Sequence, residues 1–136
     1  MKEYASKTVV YPEDVLNGPV LDFFDEDACR NWILKCIHRE KALCPRCNAI
    51  IEGQPEVSFW AGRVVKCKCC AKMFDAKTGT FLVGMHFNYR QLVLLSLLLA
   101  MGWNNGRIAA LVGCSGPTVG LWRRKFEGLA KLRRNQ

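Results

Sequence analysis

The second half of this chain has few acidic side chains: after Asp75 the sequence contains one, Glu127. Histidine is scarce too, with His38 and His86 as its two copies, and neither has a partner at ligand spacing. The apolar run Leu92 to Met101 covers 10 residues, well short of the roughly 20 that cross a bilayer. These shortages exclude a carboxylate cluster in the second half of the chain, and they favour a buried core helix over a membrane span.

The start of the chain, Met1 to Tyr4, lacks the pattern of a secretory signal. We therefore expect a reducing, cytoplasmic environment, in which the eight cysteines are better suited to metal binding than to disulfides. The composition is that of a globular protein, with 50% hydrophobic and 24% charged residues. A length of 136 residues allows one domain or two very small ones.

Positive charge is concentrated away from the first third of the chain. The total is +8, made up of −3 in residues 1–40, +5 in residues 41–90 and +6 in residues 91–136. A basic surface attracts polyanions without specifying a fold. The charge therefore indicates a nucleic-acid partner, with a merely soluble basic protein as the alternative.

Four cysteines form two short pairs with the spacing of a zinc ribbon. Cys44 and Cys47 make one C-x2-C pair, and Cys67 and Cys70 make the other after a 19-residue gap. Two intervening residues let a tight turn present both thiolates to one ion, and four thiolates leave no open coordination position. The spacing predicts one structural Zn²⁺ with these four ligands.

The other cysteines are predicted not to bind the ion. Cys69 is interpreted as a spectator, although the alternative that it replaces Cys67 or Cys70 stays open. Cys29, Cys36 and Cys114 are predicted to lie on apolar helical faces as small hydrophobic residues.

Residues 1–22 are predicted to be an extended arm that packs partly on the body through Tyr4, Val9, Val10 and Tyr11. Asp25 is a candidate N-cap for an amphipathic helix over about 26–40. The apolar side of that helix is predicted to consist of Cys29, Trp32, Ile33, Cys36 and Ile37.

Residues 44–75 are predicted to form the ribbon. Its strand candidates are Ile50–Ile51, Val57–Trp60 and Val64–Lys66, separated by glycine-containing turns. The lysines and arginine near the cysteines, Arg46, Lys66, Lys68 and Lys72, would offset the charge of four thiolates on one Zn²⁺.

Residues Asn105 to Arg124 fit a helix-turn-helix, preceded by a helix over Tyr89–Met101. Gly113 falls at the turn, where a positive φ is needed, and Ala109 lies four residues earlier. Asn104 or Asn105 is predicted to cap the first helix and Ser115 the second. The apolar positions that would join the helices are Ile108, Val112, Cys114, Val119 and Trp122. A plain three-helix bundle has the same apolar spacing and stays an alternative.

The second helix of this motif, over about 115–130, is predicted to enter the DNA major groove. Its start is rich in small and apolar residues, so phosphate contacts should dominate and sequence specificity should be modest. The predicted DNA contacts are Arg107, Ser115, Thr118, Arg123, Arg124 and Lys125 in the helical region and Lys66 and Lys68 in the ribbon.

The stretch from Phe24 through Cys44-Pro-Arg-Cys47, Cys67-Lys-Cys-Cys70, Phe74 and Thr78-Gly79-Thr80-Phe81 resembles the zinc-ribbon region of bacterial insertion-sequence transposases. The resemblance covers about residues 23–100, and the helix-turn-helix continues it. Members of that family carry a nuclease domain with an acidic triad, for which this chain has no residues after position 75 other than Glu127. The resemblance thus implies a DNA-binding unit without the catalytic domain.

The expected fold is a small α+β protein with three parts: an arm at 1–22, a helix plus four-cysteine ribbon of short antiparallel strands at 23–84, and a tri-helical helix-turn-helix at 85–136. The expected function is zinc-dependent binding of double-stranded DNA, as a transcriptional regulator or transposition accessory factor in the nucleoid of a bacterial or mobile-element system. No nucleophile–base pair or open metal site is recognisable, so we do not expect an enzyme.

Two other functions and a homodimer remain open. A protein-interaction module, for example an RNA-polymerase-binding or inhibitor protein, would use an apolar patch of Val57, Phe59 and Trp60. RNA binding through ribbon aromatics and lysines is a third reading. In a homodimer, the acidic N-terminal region of one copy would pair with the basic region of the other.

Overall fold

Residues 10–134 are described by the structure, a computed structural model, and they form a small α+β protein. A 3₁₀ turn at Val20–Phe23 lies between the first two helices. The helices and strands are α1 Pro12–Leu16, α2 Glu26–His38, α3 Gln54–Trp60, β1 Val65–Lys66, β2 Met73–Phe74, α4 Tyr89–Ala100, α5 Asn105–Val112 and α6 Gly116–Arg134. None of the helices within 10–134 is both long enough and apolar enough to cross a membrane.

The N-terminal segment departs from the predicted extended arm. Residues 12–16 form α1, and residues 20–23 form the 3₁₀ turn. Val10 and Tyr11 are exposed by 75% and 52%, so the predicted packing of these two residues is wrong. Val20, Leu21 and Phe24 pack on the helical core instead. Tyr4 and Val9 lie outside the described residues.

Helix α2 begins where the sequence predicts and turns a different face inward. The Asp25 carboxylate accepts a hydrogen bond of 2.7 Å from the Ala28 N–H, which confirms the N-cap. Cys29 and Leu34 are buried, whereas Trp32 is 65% exposed and Cys36 is exposed. The predicted apolar side was therefore wrong at Trp32 and Cys36. The reason is that α2 lies between two cores, so Leu34 supplies a second buried side.

Residues 54–60 form helix α3, so the predicted strand Val57–Trp60 is wrong. Gly53, at φ 70°, breaks the chain before the helix, and Pro55 stands in its first turn, where proline is well tolerated. Phe59 becomes buried, with 1% exposure, while Val57 stays 58% exposed. These signals at the helix start outweigh the strand preference of Val57, Phe59 and Trp60.

Strand pairing in the ribbon region is confirmed for one candidate only. Val65–Lys66 pairs antiparallel with Met73–Phe74, in the register Val65 with Phe74 and Lys66 with Met73. Ile50 forms no strand, and only an isolated bridge joins it to Leu43. The partner strand β2 was not predicted, because a two-residue strand has too little sequence to show alternation.

The buried side chains form two clusters. The helical cluster joins α4, α5 and α6 around Leu95, Ile108, Val112, Val119 and Trp122. The ribbon cluster contains Leu34, Ala42, Cys44, Ile51, Phe59, Val65, Cys67, Phe74 and Ala76. Tyr89, at the start of α4, packs against both clusters. The predicted helix over Tyr89–Met101 is confirmed to within one residue.

A carboxylate from α2 caps the start of α4. The Glu26 oxygens accept hydrogen bonds from the Tyr89 N–H at 2.6 and 3.1 Å and from the Arg90 N–H at 3.3 Å. Asn88 and Gln91 complete a capping box, with bonds of 2.9 Å in each direction. Since Glu26 belongs to the helix beside the ribbon cluster, these bonds fix the ribbon part relative to the helical part.

Helices α5 and α6 are joined by the tight turn that the sequence predicts. Asn104 accepts a bond of 2.9 Å from the Arg107 N–H, so Asn104 rather than Asn105 caps α5. Gly113 has φ 82°, and its N–H donates to the Ala109 carbonyl at 2.9 Å. Ser115 Oγ accepts from the Thr118 N–H at 3.2 Å, which begins α6.

Candidate metal centre and basic helix

The four cysteines predicted as ligands come together in space. The sulfur atoms of Cys44, Cys47, Cys67 and Cys70 all lie within 4.8 Å of one another. The shortest distances cross between the two pairs, at 3.6 Å from Cys44 to Cys70 and 3.6 Å from Cys47 to Cys67. Four thiol groups arranged in this way could hold one metal ion.

The two cysteine pairs sit on turns of the same construction. In the first turn, the Asn48 N–H donates to the Cys44 carbonyl at 2.9 Å, and the Cys44 N–H donates to the Ala49 carbonyl at 2.9 Å. In the second turn, the Ala71 N–H likewise donates to the Cys67 carbonyl at 3.0 Å. Asn48 and Ala71 have φ of 62° and 63°, so each turn closes with a left-handed residue just after its second cysteine.

The two turns differ in the residue that occupies the left-handed position. Asn48 is suited to a positive φ, because asparagine adopts that region more readily than most residues. Ala71 has no such advantage, and its Cβ makes the same conformation costly. The sequence signal for a turn is therefore stronger in the first pair than in the second.

Backbone N–H groups point at the first sulfur of each turn. The Arg46 N–H lies 3.4 Å from Cys44 Sγ, and the Cys69 N–H lies 3.4 Å from Cys67 Sγ. Donors from Cys70 and Cys69 lower the pKa of Cys67 to about 6, because they stabilise the thiolate. At Cys44, burial acts to raise the pKa, but the N–H donors of Cys47 and Arg46 outweigh burial and leave the pKa lowered.

The other thiols and the histidines lie outside the cluster. Cys69 is exposed and contributes its backbone N–H rather than its sulfur, as predicted for a spectator. Cys29 is buried, whereas Cys114 is half-buried in the turn between α5 and α6 rather than on a helical face. His38 donates from Nε2 to the Ala76 carbonyl at 2.7 Å and packs on Phe59.

Four positive side chains are neighbours of the cysteines in the sequence. Arg46, Lys66 and Lys68 are exposed, and Lys72 is half-buried. Lys66 and Lys68 also line a small cavity of 90 Å³. These cations can lower the electrostatic cost of gathering four thiolates, and Lys66 and Lys68 stay available to a polyanion.

Two of the predicted DNA-contacting cations are used within the fold. Arg123 donates to Asn105 Oδ1 at 3.0 and 2.8 Å and to the Trp103 carbonyl at 2.9 Å. Lys125 Nζ donates to the Phe81 carbonyl at 2.9 Å and lies 4.4 Å from the centre of the Trp122 ring. Both side chains therefore hold α6 against its neighbours, a role that the sequence reasoning missed.

The remaining residues predicted to contact DNA from the helices differ in their partners within the fold. Arg124 is exposed. The Arg107 guanidinium stacks 4.2 Å from the Trp103 ring centre and remains exposed. Ser115 and Thr118 bond to each other at 2.8 Å through their hydroxyls, at the exposed start of α6.

The predicted apolar patch on the ribbon is smaller than expected. Phe59 is buried and packs edge-on against Trp60 and Phe74, so its predicted exposure is wrong. Val57 remains exposed and Trp60 is half-buried. The alternative of a protein-interaction module at this patch therefore loses one of its two aromatic side chains, Phe59.

Comparison of the chain with protein-family models, with curated proteins and with solved structures gives no match. The resemblance to insertion-sequence transposases stays a prediction that depends on the cysteine and T-G-T motifs alone.

Proposed function

We propose that this chain is a zinc-dependent DNA-binding protein that acts as a transcriptional regulator or transposition accessory factor, associated with the nucleoid in the cytoplasm. The observation that carries the proposal is the exposed surface of α6, which carries several cations and a single carboxylate. Within the described residues after Asp75, one carboxylate side chain, Glu127, accompanies the many lysines and arginines. Such a surface favours a polyanion.

Zinc suits the cysteine cluster on geometric grounds. Sulfur atoms at about 2.3 Å from a tetrahedral Zn²⁺ would lie about 3.8 Å apart. The cross-pair distances of 3.6 Å are close to that separation. Because four thiolates complete the coordination, we infer that the ion stabilises the fold rather than takes part in catalysis.

Buried cysteines tie this metal centre to the ribbon core. Cys44 has 0% and Cys67 has 2% of its surface exposed, and both belong to the cluster that contains Phe59 and Phe74. Strand β1 leads directly into Cys67, and β2 follows the second turn. The antiparallel strands and the two cysteine turns together support a zinc ribbon.

Helices α4, α5 and α6 support a tri-helical helix-turn-helix unit. α5 packs on both α4 and α6, and a turn with Gly113 in the left-handed region ends α5 before α6 begins. In such a unit the second helix of the motif enters the major groove by its N-terminal part. Here that part carries Ser115, Thr118 and Leu121, of which Leu121 is 50% exposed.

The cations predicted to contact DNA fall into two groups. The first group is exposed and suited to phosphates, and it consists of Arg107, Arg124, Lys66 and Lys68. The second group, Arg123 and Lys125, orients α6 through bonds to the Trp103 and Phe81 carbonyls. Only Ser115 and Thr118 offer hydroxyls near the start of α6. Phosphate contacts would therefore dominate affinity, and sequence specificity would be modest.

A salt titration of the zinc-loaded chain with labelled duplex DNA tests this proposal. We expect the logarithm of the binding constant to fall with the logarithm of salt concentration, by roughly 0.9 for each phosphate neutralised. Arg124→Gln should reduce that slope by about one phosphate. The matched control is Lys35→Gln, which removes a charge from an exposed position on α2.

Two results would refute the proposal: affinity for duplex DNA that does not change with salt, or equal slopes for Arg124→Gln and the unaltered chain. Competition between duplex DNA and single-stranded RNA distinguishes DNA binding from RNA binding. An RNA-binding protein would prefer the single strand, because its bases can stack on exposed aromatic side chains.

A further inference from the structure

One side of α6 faces away from the core of the three-helix unit. Pro117, Leu121 and Arg124 follow one another at intervals of four and three residues, so they lie along one side of the helix. Val119 and Trp122 point inward, with 0% and 4% exposure, whereas Leu121 is 50% exposed. The outer side of α6, defined as Pro117, Leu121 and Arg124, therefore includes an aliphatic side chain in the N-terminal half of the helix.

The outer side offers few hydrogen bonds near the start of α6. The side chains of Pro117 and Leu121 have no polar atoms, and Pro117 also lacks a backbone N–H. Ser115 and Thr118 carry hydroxyls there, but these bond to each other at 2.8 Å, and Ser115 caps the helix. A side chain without donors or acceptors distinguishes bases only by contact with an apolar group.

The major groove of DNA displays one apolar substituent of this kind, the C5-methyl group of thymine. In a helix-turn-helix, the N-terminal part of the second helix meets the base edges in that groove. Building on the DNA-binding function of α6, we propose that Leu121 contacts thymine methyl groups. The chain then binds a duplex that carries these methyl groups more tightly than the same duplex without them.

Arg124 places a positive charge beside Leu121. A Cβ atom at Gly120 would lie 3.6 Å from Arg124 Nη1, so the Arg124 side chain extends back over Gly120 towards the start of α6. Residues 76–126 contain no carboxylate side chain that would neutralise it. A second copy of this surface would bring cation against cation, whereas the DNA backbone brings phosphates. Charge therefore selects DNA as the partner of the outer side.

Gly116 keeps the first turn of α6 narrow. Among residues 10–134, a Cβ atom at Gly116 would meet nothing within 4 Å apart from its chain neighbours and the backbone of its own helix. Packing within the fold therefore does not require glycine here, although glycine disfavours a helix relative to alanine. Without that side chain, the base edges can come closer to the start of the helix and so to Leu121.

Two duplexes that differ only in the thymine methyl group test the contact. The zinc-loaded full chain is titrated with a labelled duplex of alternating adenine and thymine, and with the same duplex in which uracil replaces every thymine. We expect the thymine duplex to bind about three- to fivefold more tightly, the effect of burying one methyl group. Leu121→Ala should remove this preference, whereas Leu121→Met, which keeps a long apolar side chain, should retain it.

Leu132→Ala is the matched control. Leu132 is 63% exposed and lies on the same helix, eleven residues after Leu121, beyond the part that enters the groove. This variant should prefer the thymine duplex as strongly as the unaltered chain does. Thermal unfolding of every variant checks that the fold is kept.

The outcomes separate this contact from DNA binding itself. Equal affinity of the unaltered chain for both duplexes, with the salt dependence intact, would overturn the contact and leave DNA binding standing. A preference that survives Leu121→Ala would also overturn it, because the methyl groups would then be read by another residue. Failure to bind either duplex would refute both the DNA-binding function and the contact.

Discussion

Because Glu26 caps α4, we expect the loss of its charge to destabilise the fold more than the loss of charge at its neighbour Asp27. Glu26→Gln removes the charge and one of the two acceptor oxygens while keeping the length of the side chain. The three hydrogen bonds to the Tyr89 and Arg90 N–H groups would fall to those that one amide oxygen can accept. We expect the fold to be destabilised, because the N-terminus of α4 would lose its negative partner.

The magnitude follows from the kind of bond that is lost. A hydrogen bond to a charged group contributes about 1.5–3 kcal/mol, compared with about 1 kcal/mol for a neutral bond. Glu26→Gln should therefore cost about 1–2 kcal/mol, and Glu26→Ala about 2–4 kcal/mol, since alanine leaves the N–H groups without any side-chain acceptor. For a chain of this size, about 1–2 kcal/mol corresponds to a Tm lower by roughly 3–10 °C.

Asp27→Asn is the matched control, because it removes a charge from the same first turn of α2. Asp27 pairs with Arg30 at 2.9 Å, but its side chain is 74% exposed. An exposed pair of this kind contributes at most about 1 kcal/mol. Thermal and urea unfolding of the zinc-loaded variants measure both changes. Equal losses for Glu26→Gln and Asp27→Asn would refute the assignment of Glu26 as the cap of α4.

Two predictions concern the metal centre. Cys70→Ser should lower bound zinc below one ion per chain and unfold the ribbon core, while Cys69→Ser should leave both the zinc content and the fold unchanged. Elemental analysis of the purified variants measures the zinc, and circular dichroism measures the fold. Loss of the ion in Cys69→Ser would show that the ligand set is wrong. Acidification should release the ion, because protons compete with it for the four thiolates. The backbone N–H donors that lower the pKa of Cys67 to about 6 act in the same direction as the ion, since both favour the thiolate. A chromophoric chelator should detect little release at neutral pH and increasing release as the pH is lowered, so full release in neutral buffer would contradict the proposed thiolate site.

Local signals in the sequence located several features correctly. The N-cap Asp25, the left-handed Gly113 and the cap at Ser115 were all predicted in place, because each depends on a few residues that are adjacent in the chain. The cysteine spacing predicted the four-thiol cluster for the same reason. Each C-x2-C turn forms locally, and only the meeting of the two turns requires the fold.

Other features were missed because they depend on distant parts of the chain. Glu26 contacts residues more than 60 positions away, so nothing near it in the sequence announces its partner. The charges of Arg123 and Lys125 are visible in the sequence and predict DNA contacts, but the bonds of these residues to the Trp103 and Phe81 carbonyls are not visible there. The choice between strand and helix at 57–60 failed because the turn chemistry at Gly53 and Pro55 was given too little weight.

The sequence by itself determined where the chain turns, where its principal helices begin, and which four sulfur atoms could share one ion. These features come from interactions within a few residues, where backbone preferences and side-chain caps are strong enough to decide. Only the tertiary structure decided which cations remain exposed, which face of α2 is buried, and how Glu26 joins α2 to α4. Those outcomes depend on burial and on hydrogen bonds between residues far apart in the chain, and packing alone brings such residues together.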